Sequence, residues 1–185
     1  KFMGYIRPDK VGGIVNSFKY KGLTVRVVMD WAMGHVIDNG FKGQIMGSSR
    51  NNNNAIKDAM TNSWQSANDG TKYPKYTVQS DYDYQYRNHM RWDNQIGSSE
   101  SGSTNNSLYF SKGDYLAFRE VSLSYMLPST WVRKIRLSGV EVFAGAYNIG
   151  YIKKYDGMFP EIYTGVDYGV YPRPRQYNMG VKINF

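Results

Sequence analysis

Apolar and polar residues alternate along several stretches of this chain, with the period of two that is typical of β-strands. Over residues 23–35 the alternation is nearly complete, and one face carries Leu23, Val25, Val27, Met29, Trp31 and Met33. The whole pattern predicts five strands, at about residues 10–20, 23–35, 113–127, 137–149 and 173–185. Strands of ten or more alternating residues have the length that a tilted membrane-spanning strand requires.

Short and long connections follow one another between these strands. Only Lys21 and Gly22 separate the first two strands, which predicts a tight hairpin. A short link with one helical turn, over residues 129–136, joins the third strand to the fourth. Long segments at residues 36–112 and 150–172 make the other two connections. In an up-and-down meander alternate connections lie at the same end, so this asymmetry predicts an outer-membrane barrel with long extracellular loops.

Two finer features are predicted within this framework. The apolar positions slip by one residue near Arg119 and Glu120, which indicates a β-bulge in the third strand. Residues 55–66, inside the first long segment, are predicted to form a short helix. A connection as long as residues 36–112 is uncommon inside a compact soluble domain, which also favours the barrel.

Charged residues within the predicted strands include Arg26, Asp30, Glu120 and Glu141. A Lys or Arg that faces lipid costs about 2–4 kcal/mol near the bilayer midplane, so these side chains are expected to point into the barrel lumen. Two interpretations stay open for them. They contact a plug inside the barrel, or they pair with one another across the inner wall.

Composition narrows the function classes further. Aromatic residues make up 16% of the 185 residues, and the absence of cysteine excludes disulfides, thiolate metal sites and a cysteine nucleophile. Mean hydropathy is −0.57, and no stretch approaches the roughly 18 apolar residues of a membrane helix. The net charge of +8 is scattered without a run of more than two Lys or Arg residues, which argues against nucleic acid as a partner.

No catalytic, cofactor or metal site is predicted. His35 and His89 are the two histidines and lack metal-ligand spacing, and no G-x-S-x-G motif is present. Residues 81–83 read Asp-Tyr-Asp but lack the glycine and the glutamate of a calcium loop. We therefore expect a protein that is not an enzyme. Since the chain opens on Lys1 with neither an initiator methionine nor a signal peptide, we also expect it to be part of a longer protein.

Several segments resemble one known family. Residues 113–128 read GDYLAFREVSLSYMLP and resemble the DGSFLRLKNVTLGYTLP stretch of SusC/RagA-type TonB-linked outer-membrane proteins. The hairpin at residues 10–30, the strand at residues 140–149 with Asn148, and the YPRPR run before a strand ending in Phe185 also resemble that family. Each motif is weak alone, but their order and spacing make the combination specific.

The resemblance implies an all-β fold, a transmembrane antiparallel up-and-down β-barrel. Residues 1–185 would be the C-terminal strands of a large plugged barrel of about 22 strands. The extracellular loops would lie at residues 36–112 and 150–172, and the plug domain would lie outside this chain. The terminal Phe185 resembles the signal that the barrel-assembly machinery reads.

The resemblance also implies a function and partners. TonB-dependent import of oligosaccharides or peptides would take place in the outer membrane of a Gram-negative, Bacteroidetes-like cell. The implied partners are a SusD-like surface lipoprotein, the TonB–ExbB–ExbD complex acting through the missing N-terminal part, and outer-membrane lipid and lipopolysaccharide. No cofactor is implied.

Aromatic residues crowd the first long segment, and two interpretations of them stay open. Rings of this kind stack on sugars and are buried under lid proteins, so they are candidates for contact with substrate or lid. Packing of the loop against itself would use the same residues. The candidates are Tyr73, Tyr76, Tyr82, Tyr84, Tyr86 and Trp92. Aromatic residues within the strands indicate an interface girdle instead, and they are Tyr20, Trp31, Tyr125 and Tyr177.

Two other classes of protein remain as alternatives. A soluble β-sandwich carbohydrate-binding module would carry similar aromatic loops, and a passive porin or adhesin barrel would have similar strands. The apolar face of the last strand, which runs to Phe185, favours a barrel over a sandwich.

Overall fold

The structure, a computed structural model, describes residues 2–46, 57–71 and 107–185. Within them the strands are β1 (Lys10–Tyr20), β2 (Leu23–Met33), β3 (Val36–Asp38), β4 (Phe110–Lys112), β5 (Tyr115–Met126), β6 (Gly139–Lys153) and β7 (Gln176–Asn184). The α-helices are α1 (Gly40–Met46), α2 (Lys57–Thr61) and α3 (Ser129–Val132), and single 3-10 turns lie at Ser107–Tyr109 and Arg133–Ile135. None of the described helices has the length and apolar character needed to cross a bilayer.

The described residues divide into two compact units. The first contains residues 2–7, 36–46, 57–71, 107–112 and 155–170. The second contains residues 8–35, 113–154 and 171–185. The five long strands all belong to the second unit, and the two short strands β3 and β4 belong to the first.

The second unit is a five-stranded sheet in the order β1-β2-β5-β6-β7, and every neighbouring pair is antiparallel. The β1–β2 hairpin closes on Lys21 at φ 45° and Gly22 at φ 86°. Positive φ at both central residues is the signature of a type I′ turn, whose twist matches that of the strands it joins. The tight hairpin expected at these two residues is therefore confirmed.

The predicted bulge lies in β5. Val28 of β2 is opposite Glu120 and Met29 is opposite Phe118, so Arg119 is the extra residue. The same shift appears against β6, between Phe118 and Glu120. Asn148 of β6 adopts φ 51° at this level, a left-handed conformation that Asn tolerates better than most residues. The extra residue brings both halves of β5 into the same phase.

The register gives the sheet one apolar and one polar face, because residues directly opposite each other project to the same side. The apolar face includes Phe18, Tyr20, Val25, Val27, Leu123, Tyr125, Val142, Tyr177, Met179, Val181 and Ile183. Many of these side chains are exposed, such as Leu123 at 46% and Met179 at 87%. The polar face includes Ser17, Thr24, Arg26, Asp30, Glu120, Ser122, Ser124, Glu141, Tyr147, Asn178 and Lys182.

The first unit has a small core of its own. Strands β3 and β4 pair antiparallel, and Asp38 forms a parallel bridge with Val166. The most deeply buried apolar side chains of this unit belong to Ile37, Tyr109, Tyr155, Phe159 and Ile162. Backbone hydrogen bonds from Asp38 N to Gly165 O (2.9 Å) and from Phe41 N to Asp167 O (2.8 Å) fasten residues 155–170 to the rest of the unit.

The structure corrects several expected boundaries. Strand β2 ends at Met33, β6 continues to Lys153, and β7 begins at Gln176 and ends at Asn184. Residues 36–112, expected to be a loop, contain β3, β4, α1 and α2. A strand of three residues is too short to show a period, and its partner lies more than 70 residues away along the chain. Helix α2 falls within the helix predicted at residues 55–66 but is shorter.

The face assignment predicts opposite outcomes for the same substitution at adjacent residues of the central strand β5. Leu123→Lys would place an ammonium group on the exposed apolar face and destabilise a membrane-inserted barrel by about 2–4 kcal/mol at mid-depth. Ser124→Lys, the matched control, would place it among polar side chains, and the expected change is below about 1 kcal/mol. Thermal midpoints of heat-modifiable gel migration measure both. Greater damage from Ser124→Lys would mean that the faces are exchanged.

Candidate functional site

The polar face of the second unit holds a shallow pocket across all five of its strands. Its lining includes Ser17, Arg26, Ser122, Tyr147 and Asn178. Gly145 forms part of the pocket wall, because a Cβ there would lie 2.5 Å from the Asn178 side-chain oxygen and 3.1 Å from the Tyr147 ring. The pocket offers hydroxyl, amide and guanidinium groups, which suit a polar ligand or a polar protein surface.

The strongest contact on this face is the ion pair of Arg119 and Asp30. The guanidinium donates two hydrogen bonds to the carboxylate, Nε to Oδ1 at 2.7 Å and Nη2 to Oδ2 at 2.8 Å. Its carbon Cζ lies 5.8 Å from the ring centroid of Tyr151, and Nη1 donates to the Tyr151 hydroxyl at 3.3 Å. This two-pronged geometry is available to Arg and not to Lys. The bulge residue therefore ties β5 to both of its neighbours.

A second, looser pair lies beside it. Arg26 Nε is 3.5 Å from the carboxylate of Glu120, and the Ser122 hydroxyl donates to the same carboxylate at 2.8 Å. Glu141 stands directly opposite Lys182 in the β6–β7 register. Three of the four predicted in-strand charges thus have ion-pair partners in the described sheet. Contact between these residues and a plug stays a prediction.

A buried histidine lies where β2 ends, in the second unit. The His35 side chain is packed against Gly113, where a Cβ would come within 2.3 Å of Nε2. Burial lowers the pKa of His35, and the nearby Asp114 only partly opposes this effect. The Asp114 carboxylate accepts hydrogen bonds from Gly34 N at 2.8 Å and from Lys154 Nζ at 3.2 Å. A side chain at residue 113 would therefore collide with the imidazole, and burial favours the neutral form of His35.

A polar hub in the first unit centres on Asp156. Its carboxylate accepts hydrogen bonds from Lys42 Nζ at 2.5 Å, Ser111 Oγ at 2.7 Å and Asn39 Nδ2 at 3.4 Å. Burial acts to raise the pKa of Asp156, but the bonds from Lys42 and Ser111 outweigh it and hold that pKa below its usual range. These contacts join α1, β4 and residues 155–170.

A buried tyrosine lies next to this hub. The Tyr155 hydroxyl donates to Asp167 at 2.6 Å, and burial together with this bond raises the pKa of the phenol well above its usual value. Asp167 also accepts from Gly169 N at 2.8 Å and Val170 N at 3.0 Å. One carboxylate thus orders the end of residues 155–170 and satisfies the phenol. These are structural contacts, since each oxygen is engaged by the protein itself.

The predicted aromatic candidates lie outside the described residues, and so do His89 and residues 81–83. Among the residues that the structure describes, no group of three or more His, Asp or Glu side chains could hold a metal ion. Sequence reasoning missed Arg119, Asp156 and Lys42 as organising residues. The phase slip marked Arg119, and the Tyr-Asp-Gly run at residues 155–157 is one of the segments that resemble the SusC/RagA family, but no signal in the sequence marked Lys42.

Comparisons with known proteins identify relatives among TonB-dependent receptors. No protein-family profile matches the chain. TonB-dependent receptor P3 of Formosa agariphila is 25% identical over 197 residues, covering 100% of this chain and 17% of the receptor. TonB-dependent receptor SusC of Bacteroides thetaiotaomicron is 26% identical over 91 residues, covering 49% of this chain and 9% of that receptor. The chain therefore spans less than a fifth of the length of these relatives.

Solved structures agree on the fold. The RagAB peptide importer in the "closed-closed" state matches with a TM-score of 0.72 at 21% identity, over 100% of this chain and 18% of that chain. Its "open-open" state matches with a TM-score of 0.70 at 20% identity, over 100% and 18%. The predicted all-β barrel fold is confirmed, and the sandwich alternative is set aside. The described strands form an open part of such a barrel. The matched proteins are receptors and an importer by name, not enzymes.

The geometry of Arg119 predicts that a conservative change there is costly. Arg119→Lys keeps the charge but loses one of the two hydrogen bonds to Asp30 and the planar contact with Tyr151, and we expect a loss of about 1–2 kcal/mol. Arg26→Lys is the matched control, since its single 3.5 Å contact is partly exposed and is expected to matter by less than about 0.5 kcal/mol. Thermal midpoints of the full-length barrel compare them. Equal effects would contradict a special role for the bulge residue.

The lowered pKa of Asp156 predicts acid sensitivity of the first unit. A carboxylate whose pKa is lower in the folded state adds stability above its unfolded pKa, and this contribution is lost as the pH falls through the folded value, below about pH 4. Asp156→Asn should remove the contribution already at pH 7 and speed amide exchange in residues 155–170 about fivefold. Hydrogen exchange, corrected for intrinsic rates, measures this.

Asp69→Asn is the control for that experiment. Asp69 accepts bonds only from Gln65, Ser66 and Thr71 among the described residues, so its replacement should affect the neighbourhood of residues 65–71. If Asp156→Asn left the amide hydrogen exchange rates of residues 155–170 unchanged, the hub would not stabilise this segment.

Proposed function

We propose that this chain, which is part of the barrel of a SusC/RagA-type TonB-dependent transporter, supplies wall strands of a pore for nutrient import across the outer membrane. One observation carries the proposal. Five consecutive strands keep an exposed apolar face and a polar face in phase, which suits a wall between lipid and a wet lumen. The relatives supply the class of transporter.

The polar face would line the lumen in this arrangement. Arg26, Asp30, Glu120 and Glu141 would then point inward, as expected from the cost of exposing charge to lipid. The ion pairs of Asp30 with Arg119 and of Glu120 with Arg26 reduce the net charge of the wall. A wall of paired charges and hydroxyl groups offers a plug many weak polar contacts, which suits a plug that must move.

The ends of the strands support an orientation in the membrane. The connections after Met33 and after Lys153 leave from the same end of the sheet, because Tyr115 is opposite both Ala32, next to Met33, and Lys153. We assign this end to the cell exterior and the short turns at residues 21–22 and 127–138 to the periplasm.

The substrate would be an oligosaccharide or a peptide. SusC is named as a TonB-dependent receptor, and RagAB is named as a peptide importer. A SusD-like surface lipoprotein would cover the barrel, and the TonB–ExbB–ExbD complex would act through a part of the protein that is not in this chain. The aromatic candidates between Tyr73 and Trp92 would contact the substrate or the lid.

Uptake in the native host tests this function. Deletion of the full-length gene should abolish uptake of fluorescently labelled peptides or of labelled oligosaccharides, whichever class the transporter carries, and the parent gene should restore it. A protonophore should block the restored uptake, because TonB-dependent transport uses the energy of the inner membrane. Restored uptake that resists the protonophore would indicate a passive porin. Unchanged uptake of both classes would contradict import.

A further inference from the structure

The end of the second unit with the short turns carries a concentration of exposed cations. Lys21 lies in the β1–β2 turn, and Arg133, Lys134 and Arg136 lie in the connection from β5 to β6. All four side chains are exposed, and we call them the basic collar. Residues 19–22 and 127–139 contain no Asp or Glu.

The two turns lie at the same end of the sheet, where the strands terminate. Met126 N, at the end of β5, donates to Gly22 O at 2.8 Å. Ser138 N, just before β6, donates to Asn184 O at 2.9 Å, so β7 terminates at the same end of the sheet. The collar therefore extends across several strands at this end of the sheet.

Acidic neighbours do not neutralise the collar within the described residues. The nearest acid in the sequence is Glu141, which stands opposite Lys182 on the polar face. Among the described side chains none of the four collar cations forms an ion pair. The other end of the sheet differs, since Lys154 there pairs with Asp114 at 3.2 Å.

Aromatic and apolar side chains accompany these cations. The Phe18 and Tyr20 rings stack on the apolar face with centroids 6.5 Å apart, and Lys21 Nζ lies 5.3 Å from the Tyr20 centroid. Trp131 and Ile135, in the connection, are 62% and 65% exposed. Exposed aromatic rings at the margin of an apolar face, with cations just beyond them, are typical of the boundary between hydrocarbon and headgroups.

We propose that the basic collar binds the phosphate groups of anionic phospholipids in the leaflet that this end of the barrel reaches. The rings would lie at the level of the glycerol groups, and the collar would contact the phosphodiesters just outside them. Each cation close to an anionic membrane surface adds to the attraction, and an array of four discriminates anionic from zwitterionic headgroups. The proposal rests on the membrane-spanning barrel of the proposed function.

The test uses substitutions that are compatible with the backbone conformation at each residue. Lys21 has φ 45°, a conformation that Asn adopts readily, so Lys21→Asn removes the charge and keeps the turn. The collar variant is Lys21→Asn/Arg133→Gln/Lys134→Gln. The matched control is Arg7→Gln/Lys10→Gln/Lys57→Gln, which removes three exposed cations from outside the collar.

The full-length protein is reconstituted in nanodiscs of equimolar phosphatidylglycerol and phosphatidylcholine, and native mass spectrometry counts the retained lipids of each class. The parent should retain phosphatidylglycerol preferentially, and the collar variant should lower the ratio of the two lipids about fivefold or more. About 0.5 M NaCl should weaken the parent's preference, and the control variant should match the parent.

Three results would overturn the proposal. In the first, the lipid ratio is unchanged in the collar variant. In the second, the ratio falls equally in the control variant, which would mean an effect of net charge. The third comes from an arm in which lipid A replaces phosphatidylglycerol. A preference for lipid A that depends on the collar would place it in the opposite leaflet.

Uptake by the collar variant is measured in parallel. Because the collar concerns lipid alone, loss of lipid preference with intact uptake supports the proposal. Absence of uptake by the parent, with lipid preference retained, would count against the import function only.

Discussion

The two-residue period of the β-strand is the constraint on which the second unit depends. Every side chain of an odd or even set projects to the same side, so a single shift in register would move a whole set of charges onto the apolar face. Five strands must keep the same phase. In β5 this needs an extra residue, because Leu116 and Phe118 have one parity while Val121 and Leu123 have the other. The bulge at Arg119 restores the phase.

The bulge residue also shows how the polar face tolerates charge. The Arg119 guanidinium reaches Asp30, which lies 89 residues away along the chain, with two short hydrogen bonds. Arg26 and Glu120 form a second pair one step along the same face. A polar wall that must stay wet can hold such charges at little cost, because water and the opposite charge both satisfy them. The same charges on the other face would have neither.

What the sequence could predict follows from the range of the interactions involved. Local sequence patterns predict the long strands, the Lys21-Gly22 turn and the phase slip beside Glu120. The first unit could not be anticipated, because β3 has three residues and pairs with β4 far along the chain. Its Asp156 hub joins Lys42 and Ser111 across 114 and 45 residues. The partner of Arg119 was hidden for the same reason: the phase slip marks the residue but not what its side chain touches.

The short turns contain a further clue about why cations lie there. Lys21 has φ 45° and Arg136 has φ 57°, left-handed conformations that Gly and Asn adopt more easily than long side chains. A sequence selected only for turn stability would place Asn or Gly at these positions, as the hairpin itself does at Gly22. Both non-glycine residues with positive φ in these two turns are cations. We infer that the charge contributes to function and offsets a small backbone cost. An anionic surface at this end of the sheet provides such a use for both exposed side chains, in addition to the contact of Lys21 Nζ with the Tyr20 ring.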